Sequence, residues 1–544
     1  MALDKETLFG DLHKEYPTHS GHRNEVSPGG GIIYDAALKL KPEDIGRPDA
    51  NLYPIPYMDV LIGALKETGH EHELSKYQVM TNTVAFGAST ALIDYSFDIV
   101  AEAIKEGFTA RKAALGELNV KAARHGYDYV KKNFQDGFAY KLHPVPSKEK
   151  RMVIRGVQAV GIAKFKAGCA FQTYYPITPA TDESEYLENH QKDYNIVVVQ
   201  TEDEISAILM ATGAAHAGVR SATSTSGPGF SLMAEGLGWA GHTEAPGPVI
   251  ILYQRTGPST GLPTRTEQGD LQFVLHAGHG EFPRMAIAPG DIVECFHDTF
   301  DAFNYAERFQ MPVILIADKF LASSYRTVPI FDTTSLQIDR GQILSESDLA
   351  GKGIYKRYEF TPLGVSPRAI PGTRGGIFHT TADEHDELGH ITENSENRVK
   401  MMQKRMRKLQ LAAELIPDEK KVNFFGPKQA DVTLVGWGST KGPILDGMQD
   451  LEADAIRCNF LQIRYMSPFP TELVTKYLSS AKRKVLVENN YSGQLGALIR
   501  EHTGIAMDYK ILKYNGRAFS QNEVYEGVKE AIKNGVKEVV MAHA

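Results

Sequence analysis

The sequence predicts a multidomain α/β protein, and three observations carry that reading. From residue 151 onward, short unbroken apolar runs such as IVVVQ, PVIILY and PVILIAD alternate with helical stretches. That is the pattern of a parallel sheet covered on both faces. A second strand–helix series starts at DVTLVGWGST, near residue 431. Finally, 544 residues correspond to about three domains at roughly 100–200 residues each.

In chain order, residues 1–145 read as a small, partial α/β domain. GGGIIYDAAL combines a glycine turn with a buried strand, LYPIPYMDVLIGAL a strand leading into a helix, and helical spacing dominates 91–133. The proline- and charge-containing stretch 140–150 is a linker. Residues 146–350 form the principal α/β domain. Residues 351–425 are an irregular connector ending in the basic helix ENRVKMMQKRMRKLQLAAEL. There Val399, Met402, Met406, Leu409 and Ala413 recur at helical spacing, so its lysines and arginines are expected on a solvated face. Residues 426–544 form a third α/β domain.

Composition excludes several classes. A net charge of −8 argues against nucleic acid as the main ligand. The three cysteines, Cys169, Cys295 and Cys458, are far apart and form no C-x-x-C pair. That argues against structural zinc or a cysteine-held cluster within this chain. MALDKETLFGDLHKEY lacks the apolar segment of a signal peptide, and no apolar run approaches the roughly 20 residues of a membrane span. A cytoplasmic protein is expected.

Three clusters carry chemistry. In FQTYYPITPATD, Pro176 and Pro179 fix the backbone, while Ile177 and Thr178 lie at the carboxyl end of a strand, where α/β sheets place ligands. In QTEDEISAILMATGAAHAGVRSATSTSGPGF, acidic residues open a helix. Ser226 and Gly227 then bring a hydroxyl and bare backbone to one point. For Glu204 the plainer alternative is first-turn capping. In YQRTGPSTGLPTRTEQGDLQFVLHAGHGEFP, the planar forks of Arg255 and Arg265 suit a carboxylate or phosphate; the alternative is surface pairing with Glu267 or Asp270.

In order and spacing, these motifs resemble the α subunit of the 2-oxoacid:ferredoxin oxidoreductase family. The likeness runs from YPITP through EDE, SGPGFSLM, GPSTGLPT, QGDL and HGEFP to EHDELGH, WGS, SPFP and VENNY, over about residues 85–540. It implies a multidomain thiamine-diphosphate-enzyme architecture: a γ-type domain, a pyrimidine-binding domain and a transketolase C-terminal-like domain. Two departures stand out. The G-x-G-G-x-G turn that opens family γ domains does not precede GGGIIYDA, so the chain is expected to start part-way through that domain. Gly156-Val157 replaces the usual Gly-Asn.

The resemblance implies thiamine diphosphate shared with a β subunit, which would hold Mg2+ and a [4Fe–4S] cluster, with coenzyme A as co-substrate and ferredoxin as acceptor. The assembly would be αβ or (αβ)2. Glu204 matches the glutamate that hydrogen-bonds the cofactor's pyrimidine, with Pro176, Ile177, Ser226 and Gly227 nearby. Arg255 and Thr178 match the substrate-carboxylate site, with Thr264 and Arg265 on its distal side. The YPITP and GPSTGLPT forms resemble 2-oxoglutarate and broad-specificity members more than pyruvate enzymes. A non-catalytic scaffold is disfavoured because Glu204, Arg255 and Thr178 all stand in their motifs. His385 and His390 have a spacing that would permit metal ligation, but their irregular setting argues against it; His279 is a candidate pocket residue.

Overall fold

A computed structural model describes residue 2 and residues 4–10, 21–108, 112–134, 138–146, 148–351 and 353–542. The chain forms two compact units, residues 1–148 and 149–543. In the first, β1 (Gly31–Asp35) pairs in parallel with β2 (Asn51–Ile55). Helices Tyr57–Glu67, Thr81–Leu92, Phe97–Glu106 and Ala113–Asn133 follow. Close helix packing has a direct cause in glycine: a Cβ on Gly87 would lie 1.9 Å from the Ala123 carbonyl oxygen, and one on Gly126 would lie 2.1 Å from that of Val84.

The second unit opens with β3 (Arg151–Arg155) and continues through β4 (Phe171–Tyr174), β5 (Val197–Gln200), β6 (Ser221–Thr225), β7 (Val249–Gln254), β8 (Met285–Ile287), β9 (Val313–Asp318) and β10 (Tyr325–Pro329). After the connector come β11 (Val422–Phe425), β12 (Val432–Gly436), β13 (Cys458–Ile463), β14 (Tyr465–Ser467), β15 (Lys484–Glu488), β16 (Tyr509–Leu512) and β17 (Glu538–Val540). They build a seven-stranded sheet of order β14-β8-β9-β7-β6-β4-β5 and a six-stranded sheet of order β11-β13-β12-β15-β16-β17, while β3 pairs with β10. β6, β7 and β9 are buried along their whole length, as unbroken apolar or small-residue runs require in a doubly covered sheet.

One element departs from the sequence expectation. β14 lies in the segment read as the third domain, yet it pairs antiparallel with β8 and closes the edge of the first sheet. A three-residue strand has too little pattern to declare which sheet it joins.

The chain runs from β4 outward to β5 and then returns to place β6 on β4's other side. The helix after β4, Thr181–Tyr194, packs with Leu187 into one core cluster. The helix after β6, Gly227–Leu232, packs with Phe230 into another, which also holds Ala207 and Ile208 of the helix before β6. Loops leaving the carboxyl ends of β4 and β6 therefore diverge to opposite faces, and the crevice between them is where such sheets bind ligands.

The connector helix Ser395–Leu415 corrects a second expectation. Only part of its basic set is solvated: Arg398 and Lys400 are exposed, but Lys404, Arg405 and Lys408 are buried, whereas Val399 is 55% exposed. Lys404 donates to both oxygens of buried Glu244, at 2.6 and 2.7 Å, and Lys408 to one of them at 2.8 Å. Paired charges explain the inverted face. Val157, at the departure after Gly156, is fully buried in the core, and a Cβ on Gly156 would lie 2.3 Å from the Leu321 carbonyl oxygen. Among the described residues, no helix is long and apolar enough to cross a membrane.

Candidate active site

Three strand exits converge on the crevice. After β4, Pro176 is exposed, Ile177 packs partly buried against the core, and exposed Thr178 precedes the helix at Thr181. After β7, Arg255 is 8% exposed and its Nη1 donates to the Thr178 carbonyl oxygen at 3.0 Å. The two residues predicted to share a carboxylate are thus brought together. The contact uses the threonine's carbonyl, which leaves its hydroxyl free of that bond.

After β6, Ser226 is fully buried and Gly227 starts the short helix Gly227–Leu232. Glu204 is the first residue of the helix Glu204–His216, but it is not the cap. Asp203 performs that task, accepting from the Ser206 amide at 2.8 Å. Capping therefore does not account for Glu204, which is only 4% exposed. Burial raises its carboxyl above the ordinary value, opposed by its own amide and reinforced by Asp203. A Cβ on Gly229 would lie 2.2 Å from Glu204 Oε1 and 2.1 Å from Thr225 Oγ1. Only a bare backbone fits against this carboxyl group, which explains the second glycine of SGPG.

The loop after β7 adds groups that local sequence did not single out. Asp270, expected at most as a surface partner, has a buried Oδ2 with no hydrogen-bond partner, 2.8 Å from where a Gly227 Cβ would lie. Burial pushes its carboxyl up to about 6, against the pull of Arg255. Glu267 is pushed up to about 7, also by burial. Ser226 Oγ, Gln254 Nε2 and Arg255 Nε are likewise buried without partners. Such atoms are uncommon in a finished protein interior, and four on adjoining strand exits mark a place built to meet polar ligand atoms. Thr264 is exposed and Arg265 half-buried at the outer end of this loop. The only sequence signal for Asp270 was its place in QGDL.

The remaining candidates lie elsewhere. His385 is buried beside His242 and Glu384, and their ligand-type atoms lie within 4.8 Å of one another. His390 instead faces Asp386 at 4.0 Å. Arg405 donates to Glu384 at 2.6 Å and to His242 Nδ1 at 3.3 Å. An arginine already supplies the cation of this group, so the spacing of His385 and His390 does not define a metal pair. Exposed His279 lines a separate cavity of about 650 Å³, with Ile205, Leu209, Trp239 and Phe282.

Fold and site together define a ligand-binding α/β chain: a buried carboxyl at a helix start faces bare backbone, and an arginine fork lies at the end of β7. Comparison with known proteins agrees. Residues 162–404 match the family described as pyruvate flavodoxin/ferredoxin oxidoreductase, thiamine diphosphate-binding. Residues 2–129 match pyruvate ferredoxin/flavodoxin oxidoreductase, and 430–527 match pyruvate:ferredoxin oxidoreductase core domain II. The 2-oxoacid:ferredoxin oxidoreductase subunit alpha of Saccharolobus solfataricus is 43% identical over 526 residues, covering 94% of this chain and 80% of that protein. The 2-oxoglutarate oxidoreductase subunit KorA of Mycobacterium tuberculosis is 31% identical over 487 residues, covering 88% and 71%. Among solved structures, the 2-oxoglutarate:ferredoxin oxidoreductase from Magnetococcus marinus, with 2-oxoglutarate, coenzyme A and succinyl-CoA bound, superposes with a TM-score of 0.83. It is 31% identical and covers 94% of this chain and 85% of that one. The chain belongs to the 2-oxoacid:ferredoxin oxidoreductase family, as an α subunit.

Proposed function

We propose that this chain, joined to a β subunit, catalyses coenzyme-A-dependent oxidative decarboxylation of a 2-oxoacid, with 2-oxoglutarate as the favoured substrate and ferredoxin as electron acceptor. The observation that carries the reading is Arg255, buried at the end of β7 with its Nη1 on Thr178 and its Nε unpartnered. A guanidinium so placed has spare donors for the carboxylate of a small acid. Thr178, Thr264 and Arg265 would complete the substrate's surroundings.

The residues present fit thiamine diphosphate, since Glu204 is buried beneath a backbone stripped of side chains at Gly229. Glu204 would hold the pyrimidine ring, with Pro176, Ile177, Ser226 and Gly227 around it. The bound cofactor supplies a carbon nucleophile for the 2-oxo carbonyl and accommodates the electron pair left by departing carbon dioxide. Glu204, whose burial favours its protonated form, can share a proton with a ring nitrogen rather than simply repel it. Arg255 orients the C1 carboxylate for loss, which is positioning rather than proton chemistry. Mg2+ and the [4Fe–4S] cluster are assigned to the β subunit, because three scattered, buried cysteines cannot provide four cluster ligands. We assign the assembly as αβ or (αβ)2.

Support for 2-oxoglutarate comes from the KorA relative and the structure from Magnetococcus marinus. Broad 2-oxoacid specificity is the second reading, favoured by the higher 43% identity to the Saccharolobus solfataricus subunit. The test is anaerobic co-purification with the β subunit, followed by coenzyme-A-dependent reduction of a viologen dye by 2-oxoglutarate and by pyruvate. Activity that needs both chains and collapses in Arg255→Ala is the expected result. A pair that binds thiamine diphosphate yet oxidises no 2-oxoacid refutes the assignment.

A further inference from the structure

The loop from Arg255 to Leu271 is held at one end by its parent strand and at the other by the C-terminal sheet. Gln268 is fully buried and makes contacts with three separate C-terminal groups. Its amide donates to the Asn489 carbonyl at 2.7 Å, and its Oε1 accepts from the Asn489 amide at 2.9 Å. Its Nε2 donates to the Trp437 carbonyl at 2.8 Å, and its own carbonyl accepts from Asn490 Nδ2 at 2.9 Å. Gln494 extends the grip, donating to the Gly269 carbonyl at 2.7 Å and accepting from the Gln272 amide at 2.9 Å.

Behind these groups the support is rigid. Glu488, fully buried, accepts from Trp437 Nε1 at 2.9 Å, Asn490 Nδ2 at 2.8 Å and the Leu495 amide at 2.9 Å. Farther out, Gly516 takes the Thr266 amide on its carbonyl at 3.2 Å. A Cβ on Gly516 would lie 2.9 Å from Arg265 Cβ and 3.1 Å from Leu262 Cδ1, so the C-terminal turn abuts the residue proposed for the distal side of the pocket. Residues 257–262 and Thr264, by contrast, are exposed. The two ends of a bound 2-oxoacid would therefore rest on different supports: the C1 end on Arg255 at a sheet strand, the distal end on a loop whose position the C-terminal domain dictates.

We infer that the C-terminal domain is the selectivity element of this enzyme: Gln268 and the turn at Gly516 are positioning residues that set the distal wall of the 2-oxoacid site. The inference rests on the proposed 2-oxoacid chemistry. Loosening the clamp alters recognition of a substrate that reaches the distal wall and spares one that does not. A pocket wall displaced by one methylene is worth roughly 10–200-fold in discrimination.

The test uses the αβ complex carrying Gln268→Glu, which keeps the side chain's shape but removes the donor to Trp437, and separately Gly516→Ala, which strains a turn at φ +80° and presses on Arg265. The readouts are kcat/KM for 2-oxoglutarate and for pyruvate, KM for coenzyme A, and thermal unfolding of the same samples. The expected result is a change of about tenfold or more in the 2-oxoglutarate/pyruvate ratio, with pyruvate turnover and the coenzyme A KM retained. Equal loss with both substrates, or an unchanged ratio in both variants, overturns the inference while leaving the oxidoreductase reading intact. A wild-type complex that oxidises neither acid removes the reading and the inference together.

Discussion

Gly229→Ala separates site geometry from stability. The added methyl would start 2.1 Å from Thr225 Oγ1 and 2.2 Å from Glu204 Oε1, with the Glu204 carboxyl carbon at 2.7 Å. Ordinary carbon–oxygen contacts are more than about 3 Å, so Thr225, Glu204 or the backbone must shift by about 1 Å. Thr225 is fully buried within the parallel sheet, and Glu204 is anchored in the first turn of its helix. Overpacking of this kind costs about 1–3 kcal/mol, offset by up to about 1 kcal/mol from replacing glycine by alanine in a helix. At about 2–4 °C per kcal/mol, the melting temperature should fall by less than about 12 °C.

Activity should suffer far more, because a displacement of about 1 Å in a proton-handling group can cost about 100-fold. The assay is viologen reduction by the anaerobic αβ complex, with calorimetric titration of thiamine diphosphate on the same preparation. Gly236→Ala is the control, since the three atoms nearest its methyl would all belong to the Ile208 side chain, the first at 2.5 Å. If Gly236→Ala loses as much activity as Gly229→Ala, or if Gly229→Ala stays within about threefold of wild type, the assignment of Gly229 as the seat of the Glu204 carboxylate is wrong.

Three further outcomes follow from buried charge. Glu183, fully buried, pairs with Lys164 and accepts from Ser224 Oγ at 2.8 Å and Tyr253 OH at 2.9 Å. Glu183→Gln should therefore cost about 3–5 kcal/mol in denaturant unfolding and Tyr253→Phe only about 1 kcal/mol, and the reverse order would contradict the pairing. At Glu244, burial alone would raise the carboxyl, but Lys404, Lys408 and Arg357 outweigh it and hold it well below the usual range. The stabilisation it confers is thus present above the unfolded value of about 4.3 and lost as pH falls through the lower folded value; Glu244→Gln should flatten the acid limb of a melting-temperature profile, and an unchanged limb would count against it. Because Arg405 already pairs with Glu384 and His242 of the His242–Glu384–His385 group, elemental analysis should find no stoichiometric zinc; one bound equivalent abolished by His385→Ala would overturn that reading.

Much of the fold was legible because its signals are local. Unbroken apolar runs declared β7 and β9, and a proline-bounded stretch declared the exit from β4. What escaped local reading depended on residues distant in sequence. The apparent apolar stripe of the connector helix placed Val399 inside and the lysines outside. The structure leaves Val399 exposed and turns Lys404 and Lys408 inward, because Glu244, on a loop before β7, offers those two a buried carboxylate. No periodicity within the helix encodes that partner. β14 escaped for the same reason, since its sheet is chosen by β8, far upstream.

The site divides along the same line. Glu204, Arg255 and Ser226 stand at strand exits or a helix start, positions that glycine, proline and apolar runs announce in the sequence. Asp270 and Gln268 look locally like ordinary loop polarity. Gln268 is met by Asn489 and Asn490 from more than 200 positions later, and Asp270 by Gln254 and Gly227 from neighbouring strand exits. The arginine proposed to bind the carboxylate thus lies at the end of a sheet strand, while the proposed distal wall depends on contacts between two domains. A substitution at Arg255 should accordingly act on every 2-oxoacid alike, since all of them carry the C1 carboxylate. One at Asn489 or Asn490 should act by substrate length, although neither residue belongs to the strand exits that hold Arg255.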